Sequence, residues 1–346
     1  MVDVSVILPV HDAEKWLDEC LHSVWIQQFP GTFELSIYND ASQDESLSII
    51  QSWTEQFKLK KVNVVFGENK AVGFPKGVGF AKNAAIKQSH GRYLCFLDSD
   101  DVMLPGRIEQ QYIAAKARPN SIIGCRFYRL PEDSTERFTK WANTISQHQL
   151  KTQIYTSHGP TIVMPTWFCS RDVYNNVGGF SESGKGTPED LIFFFKHLEL
   201  GGSLHRLDEC LLMYRYHPDA TTFSIKQETI WNLRVAKLQE QVLSQWDTFT
   251  IWNAGKQGRR LYRTLTPENR KKVKMFCDVD DKKIEKGIYR FEGSPEKSKP
   301  EIPIVHFTQL KPPVIICMKL DLTCGCFEEN LESLNLTEGI DYFHFN

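Results

Sequence analysis

The first hundred residues alternate two periodicities, and that alternation limits the folds open to the chain. Short, mostly apolar runs occur at residues 4–8, 33–38, 62–66 and 93–97. Between them, apolar residues recur at helical spacing. Trp16, Leu17, Cys20, Leu21, Val24 and Trp25 do so within 14–28, and further helices are expected at 42–57 and 79–89. Ser42 with Glu45 three residues on reads as a capping box for the second helix. Strands that take turns with helices favour a parallel sheet with helices on its faces. Ligands of such sheets bind beyond the carboxyl ends of the strands. The informative side chains are therefore those that follow each apolar run.

The alternation breaks between about residues 120 and 225, where Pro, Gly and aromatic residues punctuate short mixed elements. One amphipathic helix is expected over 227–246, with Ile230, Leu233, Leu238 and Val242 among its apolar positions. Alternation then resumes. Strands are expected at 248–252, 273–279, 314–320 and 341–345, and helices at 255–265 and 327–334. Residues 302–306 fit a short edge strand, because Pro303 lacks a ladder donor. A chain of 346 residues is long enough for two domains. The reading is α/β throughout, with a first domain over 1–246 and a small Rossmann-like domain over 247–346. The Gly-, Ser-, Pro- and Lys-rich stretch 293–300 is a loop inside the second.

The net charge is −2, so a nucleic-acid partner would have to be met by a local patch. The longest apolar runs, such as Val314 to Met318, fall far short of the ~20 residues of a membrane helix. No membrane contact and no signal peptide are expected. Nine cysteines, several in apolar settings such as Cys95, point to free buried thiols and a cytoplasmic location. Cys324-Gly-Cys326 has no matching second pair, which argues against zinc.

Five clusters carry chemistry. Asp98-Ser99-Asp100-Asp101 puts three carboxylates within four residues. Their repulsion is relieved by a divalent cation, Mn²⁺ or Mg²⁺, bridging a diphosphate. The plainer reading is an acidic helix cap, which needs one carboxylate rather than three. Asp40, in the turn after the second strand, can accept a hydrogen bond from a uracil N3–H or simply organise the turn. The segment Gly73 to Asn83 brings glycines and Lys82, a phosphate contact or a flexible connection. Glu189-Asp190 at a loop-to-helix junction offers a general base, or carboxylates that meet the helix dipole. His217 either completes a metal shell or is structural. Trp167 and Phe168 are candidates for stacking on an acceptor, or core aromatics.

Taken in order, these motifs resemble the family 2 glycosyltransferases of the GT-A fold. The match runs through Val4 to His11, Asn39 to Asp44, Ala81-Lys82-Asn83, Leu97 to Asp101, Pro188-Glu189-Asp190 and Tyr214 to Pro218. The resemblance implies that Asp40 holds uracil, Asp98 the ribose and Asp100 the metal, and that Asp190 is the base. Pro9, His11 and Ser99 lie in the matching motifs and join Asp40, Lys82 and Asp98 on the donor side, and His217 joins Asp100 at the metal. Many members have Arg where this chain has Lys82, which keeps the charge but loses the fork. The resemblance continues through Pro165 to Ser170 and Phe249 to Arg260, towards transferases acting on queuosine in tRNA. It implies transfer of galactose from UDP-galactose to queuosine at the wobble position of tRNA-Tyr. No obligate protein partner is implied.

The second domain fits an RNA acceptor in one respect. Residues 251–290 hold 12 Lys and Arg against 5 Asp and Glu. Lys256, Arg259, Arg260 and Arg263 are the expected tRNA contacts. The bland reading is a solvated helix face. Gly255-x-x-Gly258 with Asp278 or Asp280 is a partial dinucleotide fingerprint, but only two of its glycines are present and Lys256, Arg259 and Arg260 crowd the turn. The rival functions are a UDP-GlcNAc transferase acting on a glycan or protein, and a nucleotide-sugar- or tRNA-binding module without turnover.

Overall fold

The computed structural model describes residues 2–71, 73–156, 159–295 and 297–346. The chain folds as two compact units. One is Met1–Leu150 with Pro160–Lys226, and the other is Lys151–Gly159 with Gln227–Asn346.

The first unit is built on an eight-stranded sheet. In chain order its strands are β1 (Val4–Val10), β2 (Phe33–Asn39), β3 (Asn63–Glu68), β4 (Tyr93–Phe96), β5 (Val102–Met103), β6 (Ser121–Leu130), β7 (Phe168–Ser170) and β8 (Ser203–Arg215). They lie side by side as β3-β2-β1-β4-β7-β6-β8-β5. The first four are parallel, with β1 between β2 and β4. Every residue of β1 is buried, as a strand with neighbours on both edges and cover on both faces requires. Helices α1 (Leu17–Trp25), α2 (Ser46–Leu59), α3 (Val78–Gln88) and α4 (Arg107–Ala117) follow β1, β2, β3 and β5 in the chain. A fifth helix, α5 (Glu189–Glu199), precedes β8. Parallel alignment carries the ends of β1, β2 and β4 to one edge. Leu97 N donates to Ile7 O at 3.1 Å and Asp40 N to Val10 O at 2.7 Å.

The second unit has a six-stranded sheet of β9 (Phe249–Trp252), β10 (Val273–Asp278), β11 (Ile288–Arg290), β12 (Glu301–His306), β13 (Val314–Ile316) and β14 (Tyr342–His344). Their order is β11-β12-β10-β9-β13-β14, and only the β11–β12 pair is antiparallel. Trp252 anchors its core, stacked on Phe307 with centroids 5.6 Å apart and packed with Phe327 and Tyr342. Its helices include α6 (Gln227–Gln241), α7 (Lys256–Thr264) and α8 (Pro267–Lys271).

Two expectations shift. The boundary expected at 246–247 moves to 226–227, because α6 packs with the second unit. Trp231 meets Phe345 edge-on at 4.9 Å, and Arg234 donates to Asn346 O. Amphipathic spacing announces a buried face but not which sheet buries it. Ser42 also does not cap α2, which starts at Ser46. Its hydroxyl donates to Asn39 Oδ1 at 2.6 Å and accepts from Asp12 N. The turn after β2 uses it to tie two strand ends together.

Candidate active site

The Asp98–Asp101 turn follows β4 and lies at the shared strand edge. Arg107 supports it from below. This guanidinium is fully buried, and its Nη2 donates to the carbonyls of Phe96 and Pro165 at 2.7 Å each. Asp101 is also fully buried. One of its oxygens accepts from Arg215 N at 2.9 Å and the other has no partner among the described residues. Burial, with Asp100 and Asp98 adding to it, pushes the Asp101 carboxyl well up. Ser99 sits half-buried in the turn between the two donor-side aspartates.

Lys82 is 2% exposed, four residues into α3. Its ammonium donates to Glu189 Oε1 at 2.9 Å, touches Met164 Sδ at 3.2 Å and lies 3.8 Å from Asp98 Oδ1. Burial opposes its charge, but Glu189 and Asp98 more than offset that and raise its pKa. Glycine makes this approach feasible. A Cβ on Gly79 would stand 2.1 Å from Ser181 O and 3.3 Å from the Glu189 side chain. Lys82 therefore neutralises the carboxylates around it.

Asp190 follows Glu189 in the first turn of α5 and is partly buried, with Oδ1 accepting from Leu191 N at 2.7 Å. Burial and then the neighbouring Glu189 charge lift its carboxyl to about 7, against the pull of Lys82. Asp98 is lifted to about 6 by burial, again against Lys82. Two carboxylates poised near neutral pH around one buried lysine have the character of acid–base machinery.

His217 follows β8, and its Nε2 lies 2.8 Å from Asp100 Oδ2. Its Nδ1 is buried without a partner among the described residues. Trp16 packs on the imidazole at 5.6 Å, and the Arg215 guanidinium lies 4.4 Å over the same indole. Arg215 also donates to Asp100 O and pairs with Glu19. Among the described residues no three His, Cys, Asp or Glu side chains gather to hold a metal by themselves. Asp100 and His217 offer one oxygen and one nitrogen. That set suits a hard cation whose remaining ligands are phosphate oxygens and water.

Asp40 is 2% exposed and already engaged. It accepts from Asn69 Nδ2 at 2.9 Å, Lys76 N at 3.1 Å and Gly77 N at 2.8 Å. It therefore organises the loop before α3. His11 contacts the same turn, with Nδ1 2.8 Å from Asp40 O, and Pro9 is buried within β1. Gly77, at φ +99°, packs against Gly184, so the glycines of this loop serve close packing. Trp167 and Phe168 are fully buried; Trp167 packs among Phe96, Phe180, Phe193 and Phe194 and is core, not an acceptor platform.

In the second unit the four expected tRNA contacts separate. Lys256 and Arg263 are exposed. Arg259 lies over the Tyr289 ring at 5.1 Å, and Arg260 stacks on Trp231 at 3.9 Å while pairing with Glu228. Asp278 is occupied as well. It accepts from Ala254 N, Val279 N, Asp280 N and Lys283 Nζ, which closes it to a ribose. Gly258 is there for helix–strand packing, since a Cβ would lie 1.9 Å from Asn253 O.

Sequence reasoning did not assign roles to Arg107, Arg215, Glu19 or Trp16. A charged residue at a buried helix position, as at Arg107, was the one available signal.

The mixed sheet of the first unit and the acidic turn at its parallel edge match a GT-A fold, and the second α/β unit is a separate addition to it. The glycosyl transferase family 2 model matches residues 5–178, and the chain belongs to that family. The glycosyltransferase EpsJ of Bacillus subtilis is 23% identical over 227 residues, covering 63% of this chain and 62% of its own length. The poly(ribitol-phosphate) β-N-acetylglucosaminyltransferase TarS of Staphylococcus aureus is 34% identical over 102 residues, 29% of this chain and 17% of TarS. The crystal structure of TarS aligns at TM-score 0.53 and 20% identity, covering 78% of this chain and 43% of that one. Residues 1–349 of TarS, in complex with UDP-GlcNAc, align at TM-score 0.52 and 19% identity, covering 77% and 71%. Among the described residues no helix is long and apolar enough to cross a membrane.

Proposed function

We propose that the protein is an inverting, metal-dependent transferase that moves galactose from UDP-galactose to the queuosine nucleoside of tRNA-Tyr. The observation that carries the transferase reading is the convergence of Asp98, Asp190 and Glu189 on one buried lysine, beside the Asp100–His217 pair. The galactose and tRNA parts rest on the sequence resemblance to queuosine-tRNA galactosyltransferases, supported by exposed Lys256 and Arg263 on α7. This reading carries a cytoplasmic location.

Asp190 takes the proton from an acceptor hydroxyl, which attacks the anomeric carbon from the face opposite UDP. Its raised pKa makes it a stronger base than an ordinary carboxylate. Lys82 and Glu189 fix its surroundings. Asp98 receives the ribose, and Asp40, with Pro9 and His11 beside it, shapes the uracil side. When bound at Asp100 and His217, Mn²⁺ or Mg²⁺ supplies positive charge to the departing diphosphate.

A second reading is transfer of GlcNAc from UDP-GlcNAc to a glycan or polyol-phosphate acceptor. The TarS likeness favours it, since that protein acts on poly(ribitol-phosphate). A panel of UDP-sugars, each offered with queuosine-containing tRNA-Tyr, the same tRNA lacking queuosine, and glycan acceptors, separates the two. Label should pass from UDP-galactose to the queuosine-containing tRNA alone. Transfer from UDP-GlcNAc to a glycan, with every tRNA unlabelled, overturns the first reading.

A further inference from the structure

The second unit contains a cleft of about 720 Å³ whose residues all come from 262–302. Among the described residues five cations line it, Arg270, Lys271, Arg290, Lys297 and Lys299, against one carboxylate, Glu301. The cations come from separate elements that face one another. α8 supplies Arg270 and Lys271, β11 supplies Arg290, and the 297–300 loop supplies the two lysines. The sequence reading took that stretch for a plain loop.

Several of these groups are set in place. The Arg270 guanidinium donates to Leu265 O at 3.3 and 3.1 Å and lies 5.3 Å over the Phe291 ring. Lys299 Nζ donates to Ser294 O at 2.5 Å. Arg290 is partly neutralised by Glu292 and Glu301 at 3.4 and 3.9 Å. No salt bridge to a described residue neutralises Lys271 or Lys297, and both are exposed. Holding several like charges around one concavity is unfavourable unless an anion fills it.

We infer that this cleft binds the phosphate backbone of an RNA. It is too large for one phosphate, and its cations come from a helix, a strand and a loop, so several phosphates can be met at once. A membrane-facing patch would instead be flat or convex, with apolar side chains protruding. The inference rests on the reading that the acceptor is an RNA, and it moves the main contact from α7 to α8 and the 297–300 loop. Phosphate contacts of this kind position an RNA without reading its sequence.

The test uses the full chain with the double variant Lys271→Glu/Lys297→Glu, and Lys271→Gln/Lys297→Gln as the milder pair. Both sites are exposed, and a melting curve checks the fold. Binding of unmodified tRNA-Tyr transcript is measured across salt. Charge reversal should weaken binding at least about tenfold near 0.1 M salt, and the log–log salt slope should fall by about two. The Gln pair should lie between. Unchanged affinity and slope overturn the proposal, as does wild-type protein that binds no RNA. Variants that lose binding to phosphatidylserine vesicles while keeping RNA affinity overturn it too, since the surface then faces a membrane. If the reversals abolish RNA binding but wild-type protein glycosylates no tRNA, the cleft stands and the acceptor reading falls. If wild-type protein glycosylates tRNA and the double variant keeps the same KM for it, the acceptor reading stands and the cleft falls.

Discussion

Replacing Lys82 with methionine removes one buried ammonium and keeps most of the volume. The carboxylates of Glu189, at 2.9 Å, and Asp98, at 3.8 Å, then lose their common counter-charge. At 3.8 Å and an effective dielectric of about 20, the Asp98 pair alone is worth about 4 kcal/mol. Removing one partner of a buried pair usually costs about 3–5 kcal/mol. For a unit of this size that corresponds to a fall in Tm of about 6–20 °C. The deficit should depend on pH. The raised pKa of Lys82 means that its contribution is fully present below the ordinary lysine value and is lost only as pH rises past it. Asp98, already lifted to about 6, rises further without the lysine, so its ionisation destabilises the variant as pH climbs through neutrality. Differential scanning fluorimetry from pH 4.5 to 8.5 should show the two proteins converging at the acid end and parting at the alkaline end. A variant that melts within 1 °C of wild type at pH 8 refutes the reasoning. Weakened UDP binding at unchanged stability would return Lys82 to the role of a phosphate contact.

Three further outcomes are expected. Asp190→Asn should lower turnover about 10²–10⁴-fold with UDP-sugar affinity little changed. In wild-type protein the rate should fall as pH drops through about 7, because the raised carboxyl takes up its proton there; survival of Asp190→Asn alongside loss in Glu189→Gln makes Glu189 the base. Asp100→Ala should abolish metal-dependent UDP-sugar binding, read by calorimetry with and without EDTA, and wild-type activity in excess EDTA contradicts the metal assignment. Gly79→Ala, whose new methyl meets Ser181 O at 2.1 Å, should cost about 1–3 kcal/mol and lower turnover together, and an unchanged Tm would show that α3 can shift freely.

What the sequence revealed follows the range of the interactions involved. The β1 to β4 alternation is written in local periodicity, and the Asp98–Asp101 cluster lies within four residues, so both are legible. The Lys82–Glu189 pair joins residues 107 apart. No pattern around Lys82 distinguishes a lysine that meets a carboxylate from one that meets a phosphate. Asp40 was legible as a turn residue, but its three donors come from a loop near residues 69–77 that periodicity leaves blank. On α7, spacing shows Arg259, Arg260 and Arg263 as one basic run, whereas Tyr289, Trp231 and Glu228, which claim the first two, arrive from other elements. The long β6 and β8 strands pair in parallel with two register shifts, and such irregular pairing leaves no regular pattern in either strand.

The assignment of Lys151–Gly159 to the second unit sets a schedule for synthesis. Thr152 waits for Glu338, 186 residues later, and Tyr155 waits for Gln241, 86 residues later. At about 5–20 residues per second, a ribosome takes about 9–37 s to deliver Glu338 after Thr152. For the first part of that interval the nascent chain carries Tyr155, buried in the finished protein, without the Gln241 side chain that its hydroxyl meets. Thr152 and Tyr155 therefore complete their contacts only after the whole of the first unit has been made, although they lie between its two stretches of chain.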